Sequence, residues 1–142
     1  MSIKFVSKLQ EYPKAVGKRL DLVVRKIAFD IQANAQDRCP VDLGALKNSM
    51  YVADKKSDGY ADAIVAVQSA NPKAVMYPDT PVTDELTATA FVGVEYGFWV
   101  ENGTTRMAAQ PYWQPAIEDN ERPFISACEQ VIKQATTDTT VK

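Results

Sequence analysis

Histidine is absent from the 142 residues, and with it the side chain that most often moves protons near neutral pH. Ser-His-Asp and Cys-His arrangements and an H-E-x-x-H zinc helix are therefore excluded. The chain also has no G-x-x-x-x-G-K-[ST] phosphate loop, no G-x-G-x-x-G turn and no paired C-x-x-C. Cysteine is limited to Cys39 and Cys128, too few for a disulfide scaffold or a metal site, and both are expected as small buried thiols. No apolar run reaches the roughly 18 residues that cross a bilayer, and the opening M-S-I-K-F-V-S-K lacks the long apolar centre of a signal peptide. A soluble chain made in a cytoplasm is expected. Internal repeats and low-complexity tracts are missing as well.

What is present has ordinary globular composition, with 46% apolar and 24% charged residues, which fits one domain spanning 1–142 around one core. The net charge of −2 is unevenly spread: residues 1–38 hold eight Lys and Arg against four Asp and Glu, and the remainder holds eight against fourteen. The bases Lys4, Lys8, Lys14, Lys18, Arg19, Arg25 and Lys26 alternate with acids instead of forming the concentrated patch of a nucleic-acid binder. They read as a solvated helix face. The second reading is a pair of complementary basic and acidic surfaces through which copies or partners dock.

Periodicity organises the chain. Val16, Leu20, Val23, Val24, Ile27, Ile31 and Ala35 recur at threes and fours, one stripe of a helix over roughly 14–37 that Cys39-Pro40 closes. Ile3, Phe5, Val6 and Leu9 suggest a short separate helix, or an extension kinked at Pro13, so that 1–38 is a helical N-terminal part. Residues 47–53 and 61–68 read as two strands of a hairpin around D-K-K-S-D-G, with Gly59 available for positive φ. Residues 87–95 read as a third strand. Between the second and third, 69–86 carries three prolines and several acids, which predicts a long projecting loop. Phe124, Ile125, Cys128, Val131, Ile132 and Ala135 mark a closing helix with Pro123 in its first turn, 115–119 being a separate turn or kinked lead. Residues 136–142 are expected to fray. The fold class expected is α+β, with long N- and C-terminal helices packed on a small, mainly antiparallel sheet.

The densest local signal is Tyr96 to Glu118, Y-G-F-W-V-E-N-G-T-T-R-M-A-A-Q-P-Y-W-Q-P-A-I-E. A solubilising loop does not need Phe98, Trp99, Tyr112 and Trp113, and a core helix does not carry Gly103, Pro111 and Pro115. Glu95 and Glu101 lie near Trp99, and a carboxyl held against an aromatic can serve as a general acid. The plainer role for Glu101 is to organise the turn, accepting hydrogen bonds from exposed N–H groups or threonines, with Arg106 as a second possible partner. Phe98 and Trp99 are expected in the core. Tyr112 and Trp113 are open to either core or interface, since aromatics are enriched at interface centres.

Two segments together carry a resemblance. C-P-V-D-L-G-A-L-K-N-S-M at 39–50 and the 96–118 segment resemble the two signatures of a phage neck family of tail components, typified by gene product ten of the lambdoid phage HK ninety-seven. That family's pattern is a long N-terminal helix, a P-V-D-T-G-x-L-x-x-S-like segment, a small sheet, Y-A-x-x-V-E-x-G-T, A-Q-P-F-x-x-P-A and a C-terminal helix. The first signature falls on Pro40, Val41, Asp42, Gly44, Leu46 and Ser49. The second falls on Tyr96, Val100, Glu101, Gly103, Thr104, Met107, Gln110, Pro111, Pro115 and Ala116. Leu43 stands where Thr or Ser is usual, Gly97 where Ala is usual, and 69–86 is longer than the family's connection.

The resemblance implies a non-enzymatic structural protein of the virion, without cofactor or metal, made in the host cytoplasm and forming a ring at the junction of head and tail. It implies as partners further copies of the chain, the portal adaptor or head-completion protein, and the tail terminator or tail tube. Genomic DNA would pass through the channel without sequence-specific binding, and no membrane is involved. Tyr77, Arg106, Tyr112, Trp113 and the 69–86 loop are the expected contact residues. A tail terminator or tail-completion protein is the alternative within the class. A small nucleic-acid or ligand binding module, with an enzyme behind it, is the alternative outside it.

Overall fold

The computed structural model describes residues 2–6, 14–40 and 44–140. Among the described residues the sheet has three strands: β1 (Ser2–Val6), β2 (Met50–Asp54) and β3 (Thr87–Val92). They are ordered β1-β3-β2, and β3 pairs antiparallel with both neighbours, Ile3 opposite Ala90 and Val52 opposite Ala90. As the central strand, β3 is buried along its whole length, which matches its run of Thr, Ala, Phe and Val without a charge. The expected N-terminal helix around Ile3 to Val6 is instead β1. Ser2, Ile3, Lys4 and Phe5 alternate polar and apolar at the period of a strand. Leu9 and Pro13 lie outside the described residues.

Helix α1 (Lys14–Arg38) bears out the 14–37 expectation. Its stripe of Leu20, Val24, Ile27, Ala28, Ile31 and Ala35 is buried against β2, β3 and the closing helix. That helix, α5 (Trp113–Thr140), runs antiparallel to α1: Arg38 pairs with Asp119 at one end, and Val16 and Leu20 meet Val131 at the other. α5 is continuous through Pro123, so this proline is internal and not the first turn, and Pro115 to Asp119 belong to the same helix. Packing on α1 supplies what the proline removes, since a helix held by an apolar face tolerates one missing backbone bond. Residues 136–140 are assigned to the helix as well, and Val141 and Lys142 lie outside the described residues. Among the described residues no helix is long and apolar enough to cross a membrane.

The expected hairpin is half right. The turn exists: Asp54 Oδ1 accepts N–H bonds from Lys56 and Ser57, each at 2.7 Å, and Asp54 N–H donates to Ser57 O. The segment after the turn is α3 (Tyr60–Ala70), not a strand. Residues 63–67 form an unbroken apolar run, but Ala63 and Val67 are buried and Val65 is exposed, with Tyr60 and Ile64 half-buried, which is a helical stripe at spacings of three and four. Alanine at 61, 63 and 66 favours that choice, and Asp58 Oδ1 receives the Tyr60 N–H at 2.9 Å where the helix opens. Gly59 has φ −81, so it does not supply the positive φ expected of it. Its reason is space, because a Cβ there would stand 3.3 Å from Val52 O and 3.2 Å from Tyr51 Cβ. The connection 71–86 is exposed over 77–81 and 83–85, but Met76 and Leu86 are buried and Val82 packs on the core. Tyr77 N–H donates to Gly93 O at 2.7 Å, which fastens the loop at one end.

Candidate functional site: the joint between the two motifs

The first signature builds a short helix, α2 (Gly44–Asn48), and the corner that leads into β2. Pro40 is half-buried after Cys39, whose N–H closes α1 on Ala35 O at 3.0 Å; Asp42, with Val41 and Leu43, lies outside the described residues. Gly44 is exposed at the helix start, whereas Leu46 and Ser49 are fully buried. Ser49 is satisfied on every side: its Oγ–H donates to Leu46 O at 2.7 Å, its N–H to Ala45 O at 3.0 Å, and its carbonyl accepts Gly93 N–H at 3.0 Å. Gly93 tolerates no side chain here, because a Cβ would come within 2.9 Å of Ser49 O. The motif thus ends by locking its corner to the far end of β3.

The second signature opens as α4 (Tyr96–Asn102). Gly97 faces inward, and a Cβ on it would meet Val92 Cγ1 at 2.7 Å, the Tyr112 hydroxyl at 2.8 Å and Leu46 Cδ1 at 2.9 Å. The Tyr112 hydroxyl donates to Gly97 O at 2.9 Å. One contact point therefore joins Leu46 of the first motif to Gly97 and Tyr112 of the second, although 66 residues of sequence separate the first from the last. Tyr96 begins the helix half-buried beside this point, and burial, then the nearby Cys39, push its phenol upward. Burial also pushes the Cys39 thiol up, against a smaller pull from Lys47, so this thiol is poorly suited to act as a nucleophile.

Gly103 ends α4 at φ +79, and its N–H returns to Trp99 O at 2.7 Å. Here positive φ is required, and a Cβ would in addition stand 2.7 Å from Ala109 N. Thr104 shapes the next turn, its Oγ1 accepting the N–H of Arg106 and of Met107 and its own N–H donating to Met107 O at 2.8 Å. Gln110 and Pro111 are exposed, and Gln110 N–H ties the returning stretch of chain to Val100 O at 2.8 Å.

Glu101 organises this segment through partners the sequence did not indicate. Its Oε2 accepts the N–H of Tyr112 at 2.8 Å and of Trp113 at 2.9 Å, and its Oε1 accepts that of Gln114 at 2.9 Å. These are the N–H groups that the start of α5 would otherwise leave unpaired, and a carboxylate is the side chain best suited to them. Arg106 forms no ion pair with Glu101 among the described residues. Thr104 serves its own turn and not the carboxylate. Pro115 sits half-buried in the first turn of α5, and Ala116 is fully buried against the core.

The aromatics exchange the roles expected for them. Tyr112 and Trp113 are 0% and 2% exposed, so neither is available to a neighbouring subunit. Phe98 and Trp99 are 46% and 48% exposed and meet edge to face at 5.2 Å on the outside of α4. The helical period decides this, because Gly97 and Val100 take the inward stripe of a seven-residue helix and leave 98, 99 and 102 outward. Tyr77 and Arg106 are exposed. Beyond the joint, an open groove of about 460 Å³ runs between α1, β2 and α3, lined by Phe29, Gln32, Met50 and Ala63 among others. Gln32 donates to Met50 O at 3.2 Å, while its buried Oε1 has no hydrogen-bond partner among the described residues.

Among the described residues no group of three or more Cys, Asp or Glu is placed to hold a metal ion. No curated protein and no solved structure gives a significant match to the chain. The sequence profile of one family does match, over residues 3–103, which takes in β1 from Ile3 on, α1, all of the first signature and the second as far as Gly103. That family is described as "Bacteriophage HK97-gp10, putative tail-component", and since the match covers well over half of the chain, the protein belongs to this family of phage structural components.

Proposed function

We propose that the chain is a neck protein of a tailed double-stranded DNA phage, a non-enzymatic part that assembles as a ring and joins the portal adaptor to the tail around the DNA channel. The observation that carries this reading is the use made of the motif residues. Leu46, Ser49, Gly97, Gly103 and Tyr112 hold one internal joint, and Glu101 has both oxygens engaged by the backbone of α5. Residues spent this way set the shape of a building block. The same joint holds α4 rigidly and turns Phe98 and Trp99 outward, a type of exposed aromatic pair that anchors protein contacts. Genomic DNA passes such a ring without being read, in keeping with a net charge of −2.

Deleting the gene from the phage that carries it tests the placement. Filled heads and finished tails that fail to join, with the chain present in purified wild-type virions at the head-to-tail junction, are the expected result. Overlong tails would place the chain instead as a tail terminator, because an uncapped tube continues to add subunits. Virions that contain no copy of the chain would remove both readings.

A further inference from the structure

Among the described residues, the outer faces of α1 and α5 are both left uncovered by the fold, and their chemistry is opposite. On α1, Lys18, Leu22, Lys26 and Phe29 follow one another at steps of four, four and three, which places them on one side of the helix. All four are exposed, Leu22 to 67%. On α5, Glu118, Glu121, Ile125 and Glu129 step by three, four and four, and all are exposed as well, Ile125 to 49%. Each face thus sets a large apolar side chain between charges of one sign. Neither set is pure: Lys26 is shared with Asp30, Arg25 at the border is held by Asp54, and Arg122 interrupts the acidic run. An excess of positive charge nevertheless remains on α1 and of negative charge on α5.

We propose that the outer face of α1 on one copy of the chain docks on the outer face of α5 of the next. This rests on the reading of the protein as a ring, and names the contact that closes it. Two different faces of the same chain make a heterologous contact, which propagates around an axis instead of stopping at a pair. The apolar residues supply the buried centre, with Leu22 and Phe29 against Ile125, and the charges fix register and speed encounter. Like faces repel, so α1 does not pair with α1 nor α5 with α5, and that discrimination favours a ring over a two-fold dimer.

Charge exchange tests the contact. Two variants are made in the full chain, K18E with K26E, and E121K with E129K, and circular dichroism verifies their helix content. If a paired variant loses that content, the single substitutions K18E and E129K carry the same test. At low salt the wild-type chain is expected to sediment as assemblies that grow with concentration, and to shift toward monomer at about 1 M salt, where screening acts beyond roughly 3 Å. Each variant alone is expected to remain monomeric. Their equimolar mixture is expected to regain assembly, since the acidified α1 of one then meets the basified α5 of the other and the remaining contacts are of wild-type kind. Variants that assemble as the wild type does, a mixture that stays monomeric, or a wild-type chain monomeric at every concentration would each overturn the proposal. Analysis of purified virions separates this from the functional reading. A chain present in virions whose exchanges have no effect loses the contact and keeps the neck role; a chain absent from virions whose exchanges behave as stated keeps the contact and loses that role.

Discussion

Glu101 caps a helix that begins twelve residues after it, and it does so with three backbone bonds at 2.8 to 2.9 Å. Glu101→Gln retains the size of the side chain but replaces one acceptor oxygen with a donor, leaving Gln114 or the Tyr112–Trp113 pair facing an N–H. A loss of about 1–3 kcal/mol is expected, read as a lower denaturant midpoint with an unchanged slope. Gly97 makes a second prediction. Gly97→Ala drives a methyl into Val92, Leu46 and the Tyr112 hydroxyl, an overpacking that costs about 1–3 kcal/mol. Tyr112→Phe removes one of those three obstacles, so the double variant is expected to lose less than the two single losses combined. A double-mutant cycle on denaturation midpoints measures that coupling. Additive losses would mean that the hydroxyl is not what fills the space at Gly97.

At the scale of elements, Pro123 is the local conflict. It lies exposed within the 28-residue α5, where it removes a backbone donor and crowds the preceding turn, at a cost of up to about 3 kcal/mol in an unsupported helix. Pro123→Ala is therefore expected to raise stability by roughly 1–3 kcal/mol, seen as a higher thermal midpoint with unchanged or increased helical dichroism. A decrease would mean that the proline sets the path of α5 over α1. Elements also show where sequence reading works. α1 and β3 are legible because each is long or uniform enough that its period is unambiguous. α3 reads as a strand because the short apolar run Ala63 to Val67 fits a buried strand and a helix alike, and contact with β2 and α2 selects the helix. β1 escapes for the converse reason, since five residues seldom outweigh a helical neighbour until β3 is present to pair with them.

The whole molecule responds to pH through phenols held inside it. Burial, and then Glu101, raise the Tyr112 phenol well above the ordinary tyrosine range; burial, and then Asp79 and Asp58, do the same for Tyr51. An unfolded chain ionises these groups near pH 10, while the folded chain keeps them protonated, so their contribution to stability is complete below about pH 10 and is lost as pH rises above it. Denaturation midpoints measured from about pH 8 to 11 are expected to fall steeply at the upper end, with a shallower fall for Tyr112→Phe. Parallel pH profiles for the two proteins would mean that Tyr112 ionises freely in the fold.

The sequence by itself determined the kind of protein. Periodicity marked the long helices and the central strand, the missing histidine and missing motifs removed the common catalytic constellations, and two spaced signatures pointed to the phage family to which the chain belongs. These are properties of residue type and interval, which a linear string carries in full. Tertiary structure alone decided which aromatics face inward, what Glu101 binds and why Gly97 has no side chain. Each of those depends on atoms brought together from Leu46, Val92, Gly97 and Tyr112, and burial is a property of such meetings. By hydrophobicity Trp99 and Trp113 are equals; the turn at Gly103 and the cap at Glu101 put one on the surface and the other in the core.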